Sequence, residues 1–208
     1  MRSGRAGAAA LLAMAVLLGA GAWLVSPRGA AVVLAVDVLG LGAVNSLRAT
    51  GVDRAFIGIT WLGSLYVLMP VALLVAWRSS AASWLERGYV PLALIGASAI
   101  AHLAKQIADR PRPDLFPSLI AMPTDASFPS AHAMQVTAVA AAWLLRPGAS
   151  VRAQWMVLAT LAVFLVALSR VYLQVHHPSD VAIGVVASLL WVFALRAGID
   201  TWVSGRRL

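Results

Sequence analysis

Long uncharged stretches alternate with short ones rich in arginine and proline along this 208-residue chain. Basic Met1–Arg5 precedes uncharged Ala6–Val25, which predicts a first membrane helix. A cleavable signal is the rival reading, because Gly19-Ala20-Gly21-Ala22 resembles a cleavage region. The apolar run, however, exceeds the roughly 7–15 residues of a signal core. In Pro27–Arg54 the apolar Ala30–Leu41 is interrupted by Asp37 and followed by Asn45, Arg48, Asp53 and Arg54. This pattern predicts helices lying at the outer surface. An extra span would put Arg2 and Arg5 on the opposite side from the later basic loops. Ala55–Trp77 reads as the second span and Tyr89–Ala108 as the third, joined by the short loop Ser79–Gly88. Gly96, Ala97, Ser98 and Ala99 give the third a face for close packing. It stops at Arg110-Pro111-Arg112-Pro113, where two prolines end any helix. After the loop Asp114–Ser127, the fourth span runs from Pro129 to Leu145, only about 25 Å at 1.5 Å per residue. Trp155–Leu173 is the fifth and Val181–Leu195 the sixth, also short, before the basic tail Arg206-Arg207. The expected fold is therefore all-α and polytopic: one domain over 1–208, with six transmembrane helices and short interfacial helices between the first two.

Composition agrees with this pattern. The chain is 61% hydrophobic and 12% charged, against roughly 25% charged in soluble domains. A net charge of +8 would suggest nucleic acid in a soluble protein, but here most arginines sit at the ends of apolar runs. The excess of positive loops on the cytoplasmic side orients the expected bundle. Arg2, Arg5, Arg78, Arg87, Arg146, Arg152, Arg196, Arg206 and Arg207 all fall there, near Trp77, Trp84, Trp155 and Trp202. The outer side then receives Lys105, Arg112, Ser130, His132, Arg170, His176 and Asp180, from three stretches far apart in sequence. Cysteine is absent, which excludes disulfides and thiolate metal sites. Lys105 is the only lysine among sixteen cations, which marks it for function.

The three stretches carry complementary chemistry. Lys105 and Arg112 supply cations from a helix end and the loop after it. Pro129-Ser130-Ala131-His132 opens a helix, where the backbone N–H groups of Ser130 and Ala131 can bind phosphate oxygens. Ser169–Asp180 holds Arg170, His176 and Asp180, with Pro178 suited to a first helical turn. A carboxylate at 180 can reach back to His176 and fix its tautomer, making that imidazole a candidate nucleophile. Three cations and a helix N-terminus suit a phosphoryl group. No HExxH and no acidic metal cluster is present, so neither metal nor cofactor is expected.

Together these stretches resemble the signature of the type 2 phosphatidic acid phosphatase (PAP2) superfamily, in its membrane lipid phosphate phosphatase branch. That signature, K-x6-RP, PSGH and SR-x5-H-x3-D, is met by Lys105 to Pro113, Pro129 to His132 and Ser169 to Asp180. It covers roughly the C-terminal half, and Ile59–Ser64 also looks familial. Ala131 departs from the usual glycine, which keeps the backbone donor but adds a methyl to the pocket. The resemblance implies that His176 attacks phosphorus to form a phosphohistidine, with Asp180 orienting it. It implies that His132 protonates the leaving oxygen and then activates water. It also assigns Lys105, Arg112, Ser130, Ala131 and Arg170 to the phosphoryl oxygens. The substrate would be a membrane lipid phosphate or pyrophosphate of the phosphatidic acid, phosphatidylglycerol phosphate or undecaprenyl pyrophosphate class. The expected setting is a bacterial inner membrane with the site facing outward.

Each residue alone has a plainer reading. Lys105 or Arg170 can snorkel from a helix end, Asp180 can serve the helix dipole, and His132 and His176 can be polar residues at helix starts. Only the joint spacing favours chemistry. His102 is expected to pack between helices, His177 to start a helix or lie at the surface, and Asp37 to be interfacial. Arg110 and Asp109 can pair locally or line the mouth, and Gly184 and Ser188 serve packing. Two other functions use the same charges: a transferase passing the phosphoryl group to another lipid, and a non-catalytic anion transporter. A vanadium haloperoxidase shares the site pattern but not the apolar spans.

Overall fold

The computed structural model describes residues 2–30, 34–150 and 152–206, Arg2 by its backbone only. Met1, residues 31–33 and Arg207, all invoked above, lie outside the described residues. Every regular element described is helical. Among the described residues, four helices are long and apolar enough to cross a membrane: Ser3–Val25 within α1 (Arg2–Val25), α6 (Tyr89–Ala108), α8 (Ala153–Tyr172) and α9 (Pro178–Gly205). Between α1 and α6 lie α2 (Ala35–Asn45), α3 (Thr50–Thr60), a 3-10 turn (Trp61–Gly63), α4 (Leu65–Trp77) and the single turn α5 (Trp84–Arg87). The remaining helix, α7 (Ala131–Leu144), sits between α6 and α8.

Small residues set how closely these helices approach. α1 lies antiparallel to α9, with Gly7 on Ala194 and Ala197 and, at the other end, Gly21 against Phe128 and Ile183. α6 also runs antiparallel to α9. Gly96 rests on the Trp191 ring so tightly that a Cβ would come within 2.1 Å of it. The Trp191 indole N–H donates to Ala93 O at 3.0 Å, and the Tyr89 hydroxyl donates to Val192 O at 3.0 Å. α7 joins this pair through Gln135 to Ser98 and through the Ser188 hydroxyl donating to Met134 O. Ala93, Ala97, Ala101, Ala138 and Ala187 are fully buried along these contacts. Leu12, Val16, Leu103, Val157 and Phe164 point outward instead. Large apolar side chains facing out on long apolar helices fit a lipid solvent.

Two sequence expectations change. The second span is broken: α3 and α4 meet at 46°. Ser64 takes an extended backbone to start α4, and its hydroxyl turns back to Trp61 O. The sixth helix is not short; it runs 28 residues, past Arg196, which pairs with Asp200 one turn on at 2.6 Å. That pairing lets a charge sit inside the helix, so the first arginine did not mark its end. The expected fourth span is α7, only 14 residues long. α2, at 11 residues, rises only about 16 Å, too little to cross. It packs against α8 and α9, in keeping with a surface helix.

The packing sorts the two ends of the bundle. One end gathers the C-termini of α1, α6 and α8 with the N-termini of α7 and α9. The other carries Arg78, Arg146 and Arg206, stacked on Trp77, Trp143 and Trp202 respectively.

Candidate active site

The chain builds the first of these ends with two reversals. α6 ends at Asp109, whose left-handed backbone (φ 49°) closes the helix by returning its N–H to Lys105 O. Asp109 then pairs with Arg28 at 3.2 Å, while Arg110 turns inward, so the two do not form a local pair. After α8, Gln174 is also left-handed (φ 59°), which folds Val175 and His176 back so that both their N–H groups donate to Arg170 O at 3.2 Å. The buried Gln174 carboxamide anchors this turn to Leu41 O. His177 and Asp180 then cap α9 reciprocally, with the His177 N–H donating to Asp180 Oδ2 at 2.9 Å.

As a result, Lys105, Arg112, Ala131, His132, Arg170 and His176 line one cavity of about 260 Å³, together with Ser64, Leu65, Tyr66, Pro123, Asp125 and Gln135. Glycine at 63 lets the 3-10 turn approach His132; a Cβ there would fall 2.5 Å from Val166 and 3.2 Å from the imidazole. Arg170 is buried, donates to the Thr60 hydroxyl at 2.6 Å and keeps its Nε without a partner. His176 Nε2 faces Arg112 Nη1 at 3.4 Å. Arg112 also donates to Val175 O at 2.6 Å.

His176 is 2% exposed. That burial pushes its imidazole down to about 3; Asp180 pulls the other way, and Arg170 and Arg112 add to the lowering. The imidazole is therefore neutral near pH 7. Its Nδ1 has no hydrogen-bond partner and stands 3.6 Å from Asp180 Oδ2. The same Oδ2 accepts from the Ser127 hydroxyl at 2.5 Å.

Ser130 begins α7 with a fully buried hydroxyl that has no partner. Its N–H, expected to be open to an anion, instead donates to Asp180 O at 3.2 Å. His102 is exposed on α6 rather than packed between helices.

Several side chains at this site escaped the sequence reading. Asp125 takes both motif cations: Arg112 donates to its Oδ1 at 2.6 Å, and Lys105 lies 3.2 Å from its Oδ2. Lys105 also donates to Ala126 O, and Arg112 Nε to Asp125 O at 2.9 Å. Partial burial alone would raise the Asp125 carboxyl, but Lys105 and Arg112 outweigh it and hold the group below the ordinary aspartate value. A carboxylate thus lies against cations suited to a phosphate. Nothing in the proline-broken loop spacing marked it. Asp37 and Arg110 form a second, buried ionic cluster with Asp180. A lone acid in an apolar run was the available signal for Asp37, since such residues are retained at a cost.

A family model described as the PAP2 superfamily matches residues 88–203. The decaprenylphosphoryl-5-phosphoribose phosphatase of Mycobacterium tuberculosis is 35% identical over 163 residues, spanning 77% of this chain and 85% of its own. Among solved structures, a transmembrane PAP2 type phosphatidylglycerolphosphate phosphatase from Bacillus subtilis superposes with a TM-score of 0.72 at 24% identity, covering 95% of this chain and 96% of that one. Aquifex aeolicus LpxE follows at 0.66 and 23%, covering 76% and 93%.

Proposed function

The chain belongs to the PAP2 superfamily and is a membrane phosphatase, and from that premise we propose that it hydrolyses a lipid-borne phosphomonoester or pyrophosphate through a phosphohistidine at His176. The observation that carries this reading is the single cavity onto which two imidazoles and three cations from separate segments open.

In the proposed mechanism, Lys105, Arg112, Arg170, Ser130 and the Ala131 N–H hold the phosphoryl oxygens, whose charge spreads in the transition state. Neutral His176 attacks phosphorus in line through Nε2. The N–P bond forms as the bond from phosphorus to the lipid oxygen breaks, and His132 gives that oxygen a proton. His132 then takes a proton from water, whose oxygen displaces His176 and yields inorganic phosphate. Asp180 accepts from Nδ1–H and steadies the positive ring. That role needs the 3.6 Å gap to shorten, as catalytic contacts commonly do when substrate binds.

The similarity to the decaprenylphosphoryl-5-phosphoribose phosphatase of Mycobacterium tuberculosis supports a choice among these substrates. A polyprenyl-anchored sugar phosphate is the first choice within the lipid phosphate class. The proposed setting is one integral-membrane domain over 1–208, in a bacterial inner membrane, with the site facing outward. Six crossings result if the bent α3–α4 pair is the second and short α7 the fourth. The arginine-bearing end opposite the site supports this orientation.

The test is inorganic phosphate release by the purified protein from phosphatidic acid, phosphatidylglycerol phosphate, undecaprenyl pyrophosphate and a polyprenyl-phosphoryl pentose phosphate. Turnover is expected to persist in chelator and to fall with vanadate, which mimics five-coordinate phosphorus. Loss of all turnover on chelation, or wild-type turnover by His176→Ala, would overturn the reading.

A further inference from the structure

Outside the cavity, a buried ionic chain runs from the surface helix α2 to the candidate nucleophile. Asp37, in the first turn of α2, is 2% exposed. Its Oδ1 accepts from the Ser179 N–H at 2.8 Å, and its Oδ2 from the Ser179 hydroxyl at 2.8 Å and Arg110 Nη2 at 2.7 Å. Arg110, 5% exposed, reaches the other way: its Nη1 donates to Asp180 Oδ1 at 2.5 Å and to the Ser179 hydroxyl at 2.8 Å. Asp180 is fully buried and turns its remaining oxygen toward His176 and His177.

The charge balance gives this chain a purpose. Arg110 alone on Asp180 would make a neutral pair and cancel the field that a carboxylate offers an imidazole. With Asp37 on the far side of the guanidinium, the three groups sum to −1, and that surplus lies against His176. Arg110 also fixes Oδ1, which leaves Oδ2, held by the Ser127 hydroxyl and the His177 N–H, on the side of the His176 ring at 3.6 Å from Nδ1. The geometry points to Asp37 and Arg110 as positioning residues that keep Asp180 oriented and effectively anionic for His176. The surface helix α2 thereby becomes part of the catalytic apparatus. This rests on the reading of His176 as the nucleophile.

The experiment compares wild type, Asp37→Asn, Arg110→Gln and the double variant Asp37→Asn/Arg110→Gln, with His176→Ala as reference. Each is scored for kcat and KM on the lipid phosphate that the wild type hydrolyses. Active protein is counted by the stoichiometry of inorganic phosphate binding, which the cavity cations provide independently of Asp37. Asp37→Asn keeps shape and loses charge. It is expected to lower kcat per binding site at least about tenfold, as losing outer partners of metal-bound histidines does, with KM within about twofold. The double variant restores the sum to −1 and is expected to recover part of that kcat, which a purely structural role would not do. Wild-type kcat in Asp37→Asn overturns the inference, and so does a double variant no better than the single one. If Asp37→Asn does not fold, recovery of folded protein without recovery of kcat per site in the double variant overturns it equally. A His176→Ala protein that still turns over would instead remove the nucleophile assignment.

Discussion

At the scale of single residues, the site sets a neutral imidazole, that of His176, beside strong cations. Burial pushes His176 down to about 3, so the free enzyme carries an unprotonated ring there. Its protonated fraction should grow only as pH falls far below the ordinary 6.5 of histidine. The 15N signal of His176, identified by its loss in His176→Ala, should therefore stay that of a neutral imidazole from pH 8 to pH 5. A titration near 6.5 would contradict the burial. Asp125 offers a second check. Its carboxylate holds Lys105 and Arg112, and those two cations keep it below the ordinary aspartate value, so a phosphate bound to them competes with it. Asp125→Asn should lower the inhibition constant of inorganic phosphate several-fold. An unchanged or higher constant would show that the carboxylate does not compete. The cations and imidazoles were legible because their spacing is a dense signature. Asp125 and Ser127 were not, because loop residues meet the site only through how the chain folds back.

At the scale of elements, the hydrophobic pattern located most helices but misjudged the second span and the end of the sixth. It placed α6 and α8 to within a few residues. It missed the break at Ser64, because a 3-10 turn among apolar residues leaves no polar mark. It stopped α9 at Arg196, because an arginine paired with Asp200 one turn later looks in sequence like a helix end. A Cβ at Gly96 would meet the Trp191 ring at 2.1 Å, so Gly96→Val must prise α6 from α9. It should cost about 1–3 kcal/mol, in the usual range for overpacking, and lower the thermal midpoint in detergent. An unchanged midpoint would mean that the ring yields freely.

For the whole molecule, the polar groups of five helix ends and the loops between them meet at one end of the bundle, and stacked arginines and tryptophans hold the other. The absence of cysteine makes the orientation directly measurable. A single cysteine at Asp114, beside the site, should react with a membrane-impermeant thiol reagent added to intact cells, and one at Ser80 should not. The reverse labelling would invert the molecule. The proposed hydrolysis depends most on His176 taking the phosphoryl group. Its most direct measurement is mass spectrometry of the protein quenched in base during turnover. A phosphoryl adduct on His176 is expected in the wild type, increased in His132→Ala and absent in His176→Ala. A phosphoryl group on another residue, or turnover by His176→Ala at the wild-type rate, would contradict it.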